Sequence, residues 1–251
     1  MRRMPIKSLA TMEIRALTAR SVVLSTLLGV HPPRLPVRHL VRVGALFGIA
    51  DGAIRVALSR MVAAGDLVRS GDRYCLTERL LARQARQDEA RSPRTRPWDG
   101  AWEIAVITAE RRPVAERTAL RQAMSNVRLA ELREGVWMRP ANLLRARPDI
   151  AVRQCTFIEG RPEGDPAALA ASLWDLDGWA APARDLQAAF AAADGIVDRF
   201  TLAAAVVRHL MDDPILPAAL LPADWPGPDL RAQYERFRTD FARLLSDEVL
   251  T

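Results

Sequence analysis

The chain has 251 residues and a mass of 27.8 kDa, with 49% apolar and 26% charged side chains. That composition excludes a wholly disordered chain and can supply real cores without disulfides or metal. The net charge of +6 is unevenly placed: residues 1–97 hold 18 basic against 7 acidic side chains, and residues 98–251 hold 18 against 23.

A basic first module followed by an acidic remainder points to a polyanionic partner for the first part. Lys7 is the only lysine, and arginine suits bidentate contacts to phosphate and guanine. A coding bias would favour Arg over Lys, but would not gather the excess at one end. No apolar run approaches 18 residues, so no membrane span is expected. The start, MRRMPIKSLATMEIRALTAR, lacks the apolar stretch and cleavage site of a secretory signal. Cys75 and Cys155 stand far apart without metal-ligand spacing, which fits a reducing cytoplasm.

In chain order, Thr18 can cap a helix through ARSVVLSTLL, with Gly29 as its stop. Prolines 32, 33 and 36 force a break. A second helix fits 37–47, with Val37, Leu40, Val41, Ala45 and Leu46 inward. A third fits 51–64, with Ile54, Ala57, Leu58, Met61 and Val62 at helical spacing. Strand candidates 67–69 and 73–76 flank Ser70-Gly71-Asp72, which has hairpin-turn chemistry. Thr77 then caps a fourth helix.

Helix, helix, turn, helix and a two-stranded wing is the layout of a winged helix-turn-helix. The exposed face of its third helix carries Gly52, Arg55, Val56, Ser59 and Arg60, small enough to enter a major groove and able to reach bases and phosphates. Arg38 and Arg42 on the preceding helix are candidate phosphate contacts. Arg69 and Arg73 flank the wing turn.

The stretch LFGIADGAIRVALSRMVAAGDLVR resembles the DNA-binding segment of the PaaX family of bacterial transcriptional regulators. PWDGAWEIAVI, LREGVWMRPANL and DPILPAALLPADWPG resemble three further motifs of that family, in the same order. Two positions depart from its pattern. Ala50 stands where a capping residue is usual, leaving the cap to Asp51. Val56 stands where Thr is common, and it can only pack, for example on a thymine methyl.

The charged, proline-containing 89–97 reads as a linker. Beyond it, 102–108 reads as a buried strand. Pro113 opens a helix over 114–127 with Val114, Leu120 and Met124 on one face. Strand material follows at 129–138 and 154–159, and Asp165 caps a helix over 166–173. The family resemblance implies a ferredoxin-like fold for this part, related to a small nuclease subunit. Thr108-Ala109-Glu110-Arg111 lacks the Asp that such nucleases place after the first strand, so nuclease activity is not expected.

Helices are expected over 186–193, 196–211 and 230–250, the last with Tyr234, Phe237, Phe241, Leu244 and Leu245 on one side. Trp225 is expected to fix the proline-rich corner between the second and third by packing. Asp212-Asp213 is read as a helix end, not a metal site.

The fold expected is α+β and multidomain: a winged helix-turn-helix over 1–88, the linker 89–97, a ferredoxin-like domain over 98–177 and a helical C-terminal domain over 178–251. No catalytic constellation, metal motif or cofactor signature is present, and no enzyme is expected. The expected function is sequence-specific binding of a double-stranded DNA operator by a cytoplasmic homodimer. The resemblance implies a repressor of an aromatic-acid catabolic operon, phenylacetate catabolism above all, released by an aryl-CoA or other acyl-CoA effector. Arg111 and Arg112 could meet CoA phosphates, although surface charge is the simpler reading. The competing readings are an acyl-CoA-handling enzyme with a vestigial winged helix, and a non-specific DNA-binding protein.

Overall fold

A computed structural model describes residues 17–247. The opening segment, where no secretory signal is expected, and the last residues of the expected helix 230–250 lie outside them. The fold is mixed α+β with antiparallel sheets. It divides into two compact units. One comprises residues 17–92, 182–212 and 226–247; the other comprises 93–181 and 213–225. No helix among the described residues is long and apolar enough to cross a membrane.

The first unit opens with α1 (Ala19–Gly29), whose Thr18 hydroxyl accepts the Ser21 amide at 3.2 Å. There follow β1 (Arg34–Pro36), α2 (Val37–Leu46), α3 (Asp51–Ala63), β2 (Leu67–Ser70), β3 (Arg73–Leu76) and α4 (Glu78–Arg91). The strands form an antiparallel sheet in the order β1-β3-β2. Gly71, at φ +62°, makes the β2–β3 turn that a side chain would strain. β1 is a difference from the sequence reading: the segment read as a proline break pairs with β3, because three extended residues at a sheet edge need few donors.

Val23, Leu27, Leu40, Ile54, Leu58, Met61, Leu67 and Leu76 form the core here. On α2 the inward residues are Leu40, Val43 and Gly44, while Ala45 is exposed. Gly44 lets α3 approach: a Cβ there would lie 2.6 Å from Ile54 Cγ1. Two caps differ from expectation. Asp51 lies inside the first turn of α3 and bonds Arg55, leaving Ala50 at the N-cap without a side-chain bond. Thr77 donates instead to the Gly65 and Asp66 carbonyls, tying α4 to the end of α3.

The second unit runs β4 (Trp102–Ile107), α5 (Val114–Asn126), β5 (Ala130–Arg133), β6 (Val136–Pro140), α6 (Asp149–Gln154), β7 (Cys155–Gly160) and α7 (Pro166–Leu173). Its strands are antiparallel in the order β5-β6-β4-β7. One sheet face packs Ala105, Trp137 and Cys155 against Leu120, Met124 and Ala151 from α5 and α6. Val114, expected inward, is 68% exposed at the start of α5. The other face buries Trp102 and Met138 under Ala170 of α7 and Leu216 and Leu220.

Further along the chain come α8 (Leu176–Ala192), α9 (Ile196–Leu210) and α10 (Gly227–Asp247). The boundary between the units falls within α8. α8 begins ten residues before the expected 186, since Pro182 and Gly178, which read as breakers, are accommodated inside it. In the first unit, Phe200 of α9 meets Phe47 at 4.8 Å and Phe241 of α10 at 5.3 Å between ring centroids. The C-terminal helices thus share a compact unit with residues 17–92, although they are distant in sequence.

The proline-rich stretch after α9 belongs to the second unit. Arg139, 1% exposed, and Asn142 both donate to the Ile215 carbonyl at 3.1 Å. Asp213 Oδ1 accepts the Ile215 amide at 2.7 Å, so this buried carboxylate organises backbone. Trp225 stacks on Trp179 at 4.6 Å, the packing expected of it. Of the expected linker 89–97, residues 89–91 finish α4. Arg96 bonds to the Ala141 and Asn142 carbonyls at 2.6 and 2.7 Å.

Candidate nucleic-acid interface

α3 has two faces because its apolar residues recur at helical spacing. Ile54, Leu58 and Met61 are buried, which turns Gly52, Arg55, Val56, Ser59 and Arg60 outward. Val56 is 50% exposed, an apolar side chain on an otherwise polar face. Arg55 forms a two-point pair with Asp51, Nε to Oδ1 at 2.6 Å and Nη2 to Oδ2 at 3.3 Å. That pair raises the guanidinium above its ordinary value, the hydrogen bond contributing most.

Arg38 and Arg42, one turn apart on α2, are both exposed. Arg38 reaches Asp72 of the hairpin turn at 3.9 Å. The Val37 amide donates to the Asp72 carbonyl at 2.9 Å, so backbone also joins α2 to the turn. Arg69 Nε donates to the Gly71 carbonyl at 3.0 Å, which holds the turn closed. Arg73 stands exposed opposite Ser70.

His39 and Arg20 join this surface without having stood out in the sequence. The His39 imidazole is held below its ordinary value, first by burial, then by Arg38, Arg42 and Arg73. Three of the candidate DNA-contacting arginines, two from α2 and one from the wing, therefore lie close enough to act on one ring. Thr18, at the N-cap of α1, and Ala19 and Arg20 within that helix line a groove of about 360 Å³ with Ala53, Val56 and Arg60 of α3. Only contacts across the fold reveal either residue; nothing local in the sequence does.

The second unit has its own cleft of about 310 Å³, lined by Ile107, Arg112, Leu120, Arg121, Glu131 and Trp137. Arg121 pairs with Glu131 and lies 5.5 Å from the Trp137 ring centroid. Among the described residues no group of three or more His, Cys, Asp or Glu side chains is disposed to hold a metal ion.

Three family models match the chain in N-to-C order. The PaaX-like protein model matches residues 18–80, the central Cas2-like domain of PaaX residues 95–156, and the PaaX-like C-terminal domain residues 176–249. Among solved structures, the chain is similar to the uncharacterized protein Rv0674 from Mycobacterium tuberculosis. The two are 52% identical, with a TM-score of 0.79 over 92% of this chain and 98% of that one. A comparison with curated proteins gave no match.

Proposed function

Because the chain belongs to the PaaX-like family, we propose that it is a DNA-binding transcriptional regulator, a repressor of an aromatic-acid catabolic operon. The single observation that carries this reading is α3, a helix with an apolar back and an exposed face of Gly52, Arg55, Val56, Ser59 and Arg60. The order α1, β1, α2, α3, β2, β3, with β1 on β3, supports reading this part as a winged helix-turn-helix. In that reading α3 enters the major groove, Arg38 and Arg42 bind phosphates, and Arg69 and Arg73 follow the wing.

The β-α-β-β-α-β order of the second unit, with sheet order β5-β6-β4-β7, supports a ferredoxin-like domain. Two copies of the chain would present two α3 helices to a palindromic operator. An aryl-CoA thioester would release the protein by binding its DNA-incompetent state more tightly.

The test is a mobility shift on DNA upstream of the chain's own gene and neighbouring operons, with excess random competitor, with and without phenylacetyl-CoA. The expected result is a competitor-resistant shift lost on adding the thioester. A resistant shift indifferent to it removes the effector and keeps the regulator. Equal affinity for random and upstream DNA overturns sequence-specific regulation.

A further inference from the structure

Arginines also gather on a second part of the first unit. Arg79, Arg83 and Arg86 recur at i, i+4 and i+7 along α4, so they share a face, and all three are exposed. Arg208, exposed in the last turn of α9, exerts the largest charge effect on Arg83, ahead of Arg86, Arg20 and Arg79. Partial burial first, and then these charges, hold the Arg83 guanidinium below its ordinary value.

Arg20 and Arg79 both donate to Asp66, so one carboxylate faces two cations. Among the described residues no carboxylate pairs with Arg60, Arg83, Arg86 or Arg208. Arg20 also lines the α1–α3 groove with Arg60 and Val56. Cations of α3, α1, α4 and α9 are therefore neighbours in turn, with the Asp66 carboxylate between Arg20 and Arg79.

Like charges held this close repel, and an incoming anion relieves that repulsion. A single carboxylate would neutralise one cation. A series of guanidiniums spread over three helices suits an anion whose charges repeat at intervals, and arginine forks fit phosphate oxygens two at a time. The track begins at the face proposed to read DNA.

We propose that Arg20, Arg79, Arg83, Arg86 and Arg208 form a second phosphate-binding track, which holds the DNA backbone beyond the bases that α3 reads. This inference rests on the regulator reading. The track adds affinity without sequence preference, and it engages only a duplex that extends past the α3 site.

The experiment measures binding of the full chain to random-sequence duplexes of about 12 and about 40 base pairs across a salt series, by fluorescence anisotropy. Arg83→Ala/Arg208→Ala should reduce the salt slope on the long duplex by about 2, one for each phosphate no longer neutralised. It should leave the short duplex, and the preference for upstream over random DNA, unchanged. Arg83→Lys/Arg208→Lys should retain the slope. An unchanged long-duplex slope in the alanine pair, or an equal loss on both lengths, would overturn the track while the regulator reading stands. No salt-dependent binding by the unsubstituted chain would overturn that reading and the track with it.

Discussion

Arg55 and Asp51 sit one helical turn apart on α3, and the Arg55 guanidinium donates to both carboxylate oxygens of Asp51. Both side chains are more than half exposed. Water screens an i,i+4 pair of this kind, and it is weak enough for DNA to displace. Its effect is to hold the fork along the helix before any partner arrives.

That relationship gives the first prediction. Arg55→Ala should relax base preference by about tenfold or more at the position it reads. Asp51→Ala frees the fork and removes a negative charge, so it should tighten binding to random DNA more than to the operator. Competition binding with single-base operator variants measures both. An Arg55→Ala protein with unchanged preference would move readout to Ser59 or Arg60.

The close approach of Gly44 to Ile54 gives the second. Gly44→Ala puts a Cβ into the Ile54 side chain, whose branch must move or push α2 from α3. The expected cost is about 1–3 kcal/mol in urea unfolding. Gly44→Ala/Ile54→Val should recover part of it by removing Cδ1, which would lie 2.7 Å from the new Cβ, while Cγ1 stays. Equal stability of Gly44→Ala and the unsubstituted protein would refute the packing argument.

Asp66 gives the third. Its carboxylate is buried, and the Arg20 hydrogen bond is the main influence holding it below the usual carboxylate range. A depressed carboxylate stabilises the fold above its unfolded pKa and loses that contribution as pH falls through the folded value. Stability should therefore drop below about pH 4. Asp66→Asn should cost about 1–3 kcal/mol at neutral pH and flatten that acid limb. Urea titrations at several pH values measure both quantities.

His39 gives the fourth. The ring is held neutral by burial and three arginines, so its folded pKa lies below the ordinary 6.5. The unfolded chain takes up the proton first, and stability falls as pH drops below about 6.5. DNA phosphates would offset Arg38, Arg42 and Arg73 and raise the His39 pKa. Operator binding should therefore strengthen more, from pH 7.5 to about 6, in the unsubstituted chain than in His39→Gln. Parallel pH profiles of the two proteins would refute a role for this ring.

Local pattern was enough to find much of this fold. The i, i+3, i+4 spacing of Ile54, Leu58 and Met61 places α3 and decides which side chains turn outward, because a helix of 3.6 residues per turn allows no other arrangement. Ser70-Gly71-Asp72 marks the hairpin, since the turn needs positive φ. Asp165 and Pro166 mark the start of α7. Four motifs in order were enough to point to the family.

Other features depend on contacts between distant residues, which no local pattern encodes. β1 forms because β3 offers it partners, although its own three residues have little strand character. The stretch 213–225 leaves its sequence neighbours because Arg139 and Asn142 bind the Ile215 carbonyl from another sheet strand and loop. Asp51 reads as a cap, yet Arg55 offers it a charged donor one turn away. Arg20, Arg83 and Arg208 become neighbours only when α1, α4 and α9 pack. Sequence by itself determined the inward stripe of a strongly periodic helix such as α3, while Ala45 of α2 and Val114 of α5 turned outward against the pattern; tertiary structure decided which outward charges meet, because Coulomb energy depends on distance in space and not along the chain.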